Sequence, residues 1–366
     1  MLRLSVVIPT FNRLASLQRT LAGLEHQTFP RAEFEIVVVS DGSCDGTNEF
    51  LRAQNNLGAV IQENQGVAAA RNAGIARASG EIVLFVDDDV MPTPQLIAEH
   101  LATHARHRDD VIVLGPMLTP RDFKMASWVR WEQAMLEKQY ADMSAGKWHA
   151  TARQFYTGNT SLLRRHVVQA GGFDPSFRRA EDVELAYRLA ARGLKFVFNA
   201  HAIGYHYADR SFKSWFDIPY TYGRNDVIFT RDKNQTWLLP TVFDEFRKRN
   251  PLIRALAHAC LDHSRASARA ITLLKFAAQC GDRCNLAALP RVSFSGIFNL
   301  RYYQGVADEL GGRAKFFARV ARAEKPARVP GEESREQSII WGEDFGAVDN
   351  AFSQSTNGDC PRAQGY

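Results

Sequence analysis

Three consecutive carboxylates, Asp87-Asp88-Asp89, close the apolar run Ile82 to Val86. A run of that kind reads as a strand buried on both faces, which puts the acids at a strand tip. Crowded like charges are unfavourable unless a cation or hydrogen bonds compensate them. Two readings are open: a divalent metal shared with an anionic ligand, or a solvated acidic turn. Further residues with chemical capacity are spread along the chain. Asp41 ends a second apolar run and is followed by Gly42; a strand-end carboxylate of this kind can accept a hydrogen bond while the glycine lets the backbone turn away. Gly66 and the small residues Ala68 to Ala70 sit where backbone must approach a ligand, and Arg71 adds a cation suited to a phosphate or a base. Glu181 and Asp182 open a helical pattern, a place for either a helix cap or a reacting carboxylate.

The elements that must position these residues alternate. Leu4 to Ile8, Glu35 to Val39, Ala59 to Gln62 and Ile82 to Val86 read as strands, separated by helical patterns at Leu14 to Leu24, Thr47 to Gln54 and Val67 to Ala78. This is the grammar of an α/β fold with a mostly parallel sheet flanked by helices, in which ligands lie beyond the carboxyl ends of the strands. Each strand ends in polar residues: Thr10 and Asn12, Ser40 and Asp41, Glu63 and Asn64, then the acidic triplet. Val111 to about Tyr207 is mixed. It holds a strand at Val111 to Leu114, an aromatic helix at Met125 to Tyr140, a strand-like Phe155 to Leu163, a helix at Val183 to Arg192 and a strand at Lys195 to Phe198. From Phe212 onward the pattern is helical. Residues 1–210 are expected to form one domain, with halves 1–115 and 116–210, followed by a helical region 211–330. The acidic stretch 331–366 is expected to be disordered.

Composition narrows the class. With 45% hydrophobic and 23% charged residues the chain buries a core, and a net charge of +5 argues against a dedicated nucleic-acid binder. Five scattered cysteines lack zinc spacing and read as free thiols in a reducing compartment. The apolar N-terminus is interrupted by Pro9 and Asn12, too short for a signal-peptide core, and no window offers a membrane span. The expected location is cytoplasmic, with peripheral contact at the inner face of a membrane through the amphipathic segment Leu252 to Cys280 and the basic residues 301–330.

Set in order, Ser5-Val6-Val7-Ile8-Pro9-Thr10-Phe11-Asn12-Arg13, Val37-Val38-Val39-Ser40-Asp41-Gly42-Ser43, Asn64 to Gly74, the Asp87 to Asp89 triplet, Gly171-Gly172-Phe173-Asp174 and Glu181-Asp182 closely resemble the family 2 glycosyltransferases, which have the GT-A fold. The resemblance covers roughly residues 3 to 207. It implies an inverting, metal-dependent transfer of a sugar from a nucleotide-diphosphate donor to a glycan or lipid-linked acceptor. Pro9, Thr10, Asn12, Asp41, Gly66, Arg71, Asp87 and Asp88 then belong to the nucleotide site, with Asp41 on the uracil edge, so that a UDP-sugar is favoured. Asp89, with Asp87 and His206, becomes the Mg2+ or Mn2+ site, and Asp182 the general base with Glu181 beside it. Trp128, Trp131, Gly158 and Asn159 are the expected acceptor residues, the tryptophans as a stacking platform, although core packing is the more frequent use of such residues.

Three other classes could share parts of this pattern. A nicotinamide dehydrogenase would carry G-x-G-x-x-G after Ile8, where Pro9-Thr10-Phe11-Asn12 stands. A sugar-nucleotide nucleotidyltransferase would need a glycine-rich basic loop after the first strand. A non-catalytic sugar-nucleotide-binding protein would not need Asp41, Asp89 and Asp182 together.

Overall fold

The computed structural model describes residues 2–107 and 110–322. The acidic stretch 331–366 lies outside the described residues. Four parallel strands lay down the first part of the chain: β1 (Leu4–Thr10), β2 (Phe34–Asp41), β3 (Gly58–Gln62) and β4 (Ile82–Val86). Between them run α1 (Leu14–Glu25), α2 (Thr47–Arg52) and α3 (Val67–Arg77).

The continuous apolar runs are explained by two covered faces. Alternate side chains of a strand point to opposite sides. Leu4, Val6 and Ile8, with Ile36, Val38, Leu84 and Val86, enter one core with Leu17 and Leu21 of α1. Val7, Val37, Val39, Val83 and Phe85 enter the other, with Ala68, Ala70 and Ile75 of α3.

After β5 (Val90–Pro92) and α4 (Leu96–Arg106), strands β6 (Val111–Leu114), β8 (Asn159–Leu163) and β9 (Lys195–Phe198) complete a seven-stranded sheet in the order β3-β2-β1-β4-β8-β6-β9. Only β8 runs against its neighbours. A second, three-stranded sheet joins β5 to β10 (Gly204–His206) and β7 (Met117–Leu118). The strand order reverses between β1 and β4, so the crevice outside their carboxyl ends is the topological switch point.

Helices α5 (Ser127–Ser144), α6 (Arg164–Gln169) and α7 (Glu181–Ala191) flank the later strands. The helical region comprises α8 (Phe212–Asp232), α9 (Leu238–Lys248), α10 (Pro251–Cys260), α11 (Ser264–Arg283), α12 (Ala288–Leu310) and α13 (Arg313–Arg322). The expected amphipathic stretch from Leu252 to Cys280 is thus two helices, broken where Asp262 takes a left-handed conformation. This region has a core of its own, around Val242, Phe246, Tyr303 and Phe316, and it also joins the core of the sheet. Phe229 of α8, Trp237 and Leu238 pack in the same cluster as Phe155, Leu185 and Tyr187. No helix among the described residues is long and apolar enough to cross a membrane.

Candidate active site

The polar strand tips meet at the switch point. Thr10, at the end of β1, donates its hydroxyl to Asp88 Oδ2 at 2.7 Å, joining the two central strands. The loops beyond β1 and β2 are laced together: Asn12, in a left-handed conformation, donates its N–H to Ser43 Oγ at 3.0 Å and accepts from Cys44 N at 2.8 Å. Pro9 lies within β1 opposite Val39. Asp41 is buried, and its carboxylate already holds a loop. Oδ1 accepts from Gln62 Nε2 at 2.7 Å and Gln65 N at 2.9 Å, and Oδ2 from Gly66 N at 2.8 Å. Gly66 adopts φ 94°, a value that a side chain would strain, just ahead of the N-terminus of α3.

The three aspartates of the triplet meet three different environments. Asp87 is the most open, with 37% of its side chain exposed, and accepts from Arg71 Nη2 at 3.0 Å. Asp88 is buried, which pushes its carboxyl up to about 6; Asp89 adds to that, while Arg13 and Thr10 offset it in part. Asp89 is also poorly solvated, yet its carboxyl is held well below the usual range. His206 Nε2, 3.5 Å from Oδ1, and Arg13 Nη1, 2.6 Å from Oδ2, outweigh the burial. His206 is carried by β10, which the second sheet brings against β5, and its Nδ1 lies 2.8 Å from Gln133 Nε2.

Arg13 also reaches Asp88 Oδ1 at 3.1 Å, so one guanidinium neutralises two acids of the triplet. Arg13 is not among the residues expected at the site from the sequence. Its signal was its place directly after the strand-end loop, one residue beyond Asn12.

At the other side of the crevice, α7 begins at Ala180, whose φ of 60° is costly for alanine, by about 1 kcal/mol. The turn sets Glu181 and Asp182 at the helix N-terminus, where the dipole favours negative charge. Val183 N donates to Asp182 Oδ1 at 2.8 Å. Burial, and then the neighbouring Glu181, nevertheless push the Asp182 carboxyl up to about 7, with Arg71 only partly opposing. A carboxylate in that range can exchange a proton near neutral pH. Asp182 borders a cavity of about 70 Å³, walled by Arg153, Tyr156, Tyr222, Asp226 and Tyr302 among others. Arg153 is committed there, bonding Tyr187 Oη at 2.8 Å and Asp226 Oδ1 at 3.0 Å.

Arg71 departs from its expected place. It is buried, and its two terminal nitrogens bond Glu181 Oε1 at 2.6 Å and Asp87 Oδ1 at 3.0 Å. Rather than offering a free cation to a phosphate, it braces the triplet against the start of α7. Two acceptor residues also change character. Trp131 is 5% exposed and packs edge-on to Trp215 and against Phe298, so no face is left for a sugar to stack on. Asn159 is buried, donating to Pro116 O and Ala202 O and meeting His100 Nε2 at 2.9 Å. Trp128 is partly buried, its Nε1 donating to Arg210 O at 3.0 Å. Gly158 passes directly beneath Asp87: a Cβ there would lie 3.0 Å from Asp87 Oδ2 and 2.5 Å from Met117 Sδ.

No group of three or more metal-ligating side chains is present among the described residues. Asp89 and His206 do lie together, 3.5 Å apart, a carboxylate and an imidazole of the kind that could serve a divalent cation keeping most positions for phosphate oxygens and water.

A doubly wound sheet with an acidic cluster at its switch point and a second carboxylate pair opposite defines a GT-A domain. Residues 5–172, a little under half of the chain, match the family model described as Glycosyl transferase family 2. The chain is 35% identical over 229 residues to validoxylamine A glucosyltransferase of Streptomyces hygroscopicus subsp. jinggangensis, covering 55% of this chain and 54% of that protein. It is 28% identical over 256 residues to the uncharacterized glycosyltransferase YfnE of Bacillus subtilis, covering 56% of this chain and 64% of that one. The chain therefore spans less than two thirds of the length of these curated relatives. Among solved structures, S. aureus TarS 1-349 superposes with a TM-score of 0.46 at 19% identity, over 83% of this chain and 90% of that one.

Proposed function

We propose that the chain is an inverting glycosyltransferase that moves a sugar from a nucleotide-diphosphate donor to a hydroxyl of a glycan or lipid-linked acceptor. The observation that carries the reading is Asp182. It is a carboxyl shifted to about 7, lining a cavity and braced to the acidic triplet through Glu181, Arg71 and Asp87. The glucosyltransferase relatives and the family 2 match support sugar transfer as the reaction.

In this reading the nucleoside lies along Pro9, Thr10 and Asn12 and the Gln62 to Gly66 loop. Asp41 Oδ2, which accepts a single hydrogen bond within the protein, has a lone pair left for the N–H of a uracil edge, so a UDP-sugar is the favoured donor. Asp87 and Asp88 face the ribose and diphosphate end, and Asp89, with His206 and Asp87, would hold Mg2+ or Mn2+. The metal, when bound, neutralises charge on the departing diphosphate. Ionised Asp182 takes the proton of the acceptor hydroxyl, and Glu181 holds the Arg71 brace that keeps the two ends in register. Gly158, whose missing side chain lets the backbone pass close under Asp87, and the partly buried Trp128 remain the acceptor-side candidates.

The test is a panel of nucleotide sugars, with and without Mn2+, read as thermal stabilisation and as release of nucleoside diphosphate. Stabilisation and Mn2+-dependent release by a UDP-sugar are expected. A chain that neither binds nor turns over any nucleotide sugar would refute the reading.

A further inference from the structure

Nine large hydrophobic side chains are exposed among the described residues, and six of them fall between residues 252 and 292: Leu252, Leu273, Phe276, Leu286, Leu289 and Val292. Such a concentration differs from the single exposed apolar residues that any surface carries. Leu273 and Phe276 are 68% and 63% exposed and lie one turn apart on α11; Leu286, at 56%, is in the turn before α12, and Leu289 and Val292 open α12. Gly281 near the end of α11 lies against Leu289 and Pro290, so the helix end and the start of α12 meet in one hairpin tip.

The charge around this tip is predominantly positive. Residues 251–292 hold six Lys or Arg against two Asp, and both acids, although exposed, already have partners within the protein. Asp282 pairs with Arg130 and accepts from Ser127, and Asp262 accepts from the backbone of Arg313. Arg265, Arg269 and Arg283 are exposed, on the same outward stripe of α11 as Leu273 and Phe276. An apolar tip rimmed by outward arginines is complementary to an anionic lipid surface, where the side chains enter the acyl boundary and the guanidinium groups meet the headgroups. A protein partner with a basic rim would be repelled, and a second copy would bring its own arginines to the same face.

We propose that the α11–α12 tip docks this protein on an anionic bilayer. The tip connects to the site through one rigid element. Val292 and Tyr302 lie ten residues apart on α12, which at helical rise is about 15 Å, and Tyr302 walls the cavity beside Asp182. Docking therefore brings that cavity within reach of a headgroup-linked acceptor; this consequence, unlike the docking itself, rests on the transfer reading.

The experiment is vesicle flotation of the full chain, without donor, on vesicles of phosphatidylcholine alone and of phosphatidylcholine with phosphatidylglycerol. Three proteins are compared: the unaltered chain, Leu286→Ser/Leu289→Ser, and Arg265→Gln/Arg269→Gln/Arg283→Gln. All substitutions are at exposed positions, and circular dichroism and UDP binding check that each variant is folded. The unaltered chain is expected to float with the anionic vesicles at low salt. The leucine variant should bind about tenfold more weakly or worse, and the arginine variant should lose most of the salt dependence. The proposal is overturned if the unaltered chain ignores anionic vesicles, or if both variants bind them as it does. It is also overturned if the leucine variant instead dissolves a concentration-dependent dimer, which would give the tip to a second copy. Because UDP binding is read separately, failure of docking and failure of the transfer reading are distinguishable.

Discussion

The two carboxylate clusters of the site are set apart by their surroundings. Asp89 is kept ionised by His206 and Arg13, whereas Asp182 is pushed toward neutrality by burial and by Glu181. Asp89→Ala is therefore expected to abolish the Mn2+-dependent part of nucleotide binding, measured calorimetrically with and without metal. The Asp182 shift has a defined sign. Its folded value lies above that of an unfolded chain, so the bound proton stabilises the fold at low pH, and that stability is lost as pH rises through about 7. Catalysis has the opposite need, because only the ionised carboxylate can take a proton. Transfer should fall about tenfold per pH unit below about 7 and level off above it, read as kcat over a pH series. The triplet, Asp41 and the Glu181-Asp182 pair were visible in the sequence because each stands out at a strand tip or a helix start. Arg13 and the brace at Arg71 were not. Arg71 meets a partner 110 residues away, and nothing local marks an arginine for burial.

At the scale of elements, the brace ties α3 to α7 across the crevice. Removing a buried ion's partner costs more than the pair itself contributes, so Arg71→Met, which leaves Glu181 buried and uncompensated, should destabilise the protein by about 3 kcal/mol in urea unfolding. Asp87 would lose its positioning in the same variant. Strands β1, β2 and β4 could be read from the sequence because both their faces are apolar. The three-stranded sheet could not, since β5, β7 and β10 have three residues or fewer and no period to recognise. That sheet nonetheless delivers His206 to Asp89. Trp131 illustrates the converse: its type suggested a platform, but only the packing of α5 against α8 and α12 reveals its burial against Trp215 and Phe298.

Across the whole molecule, the helical region closes the site instead of hanging from it. Phe229, Trp237 and Leu238 complete the core beneath the sheet, and Tyr222, Asp226 and Tyr302 wall the cavity at Asp182. The boundary expected near residue 210 is therefore crossed by continuous packing. Trp215, fully buried among Trp131, Phe294 and Phe298, sits at that junction. Trp215→Ala should cost about 3–5 kcal/mol and lower the temperature of one shared calorimetric transition, not split off a separate helical one. The central claim is that proton removal belongs to Asp182 while the triplet serves the donor. Asp182→Asn keeps the size of the side chain and removes its basicity. With nucleotide affinity and sugar transfer measured on the same preparation, the variant should bind UDP within about twofold of the unaltered protein and lose transfer by about a thousandfold. Transfer at the unaltered rate would contradict the account.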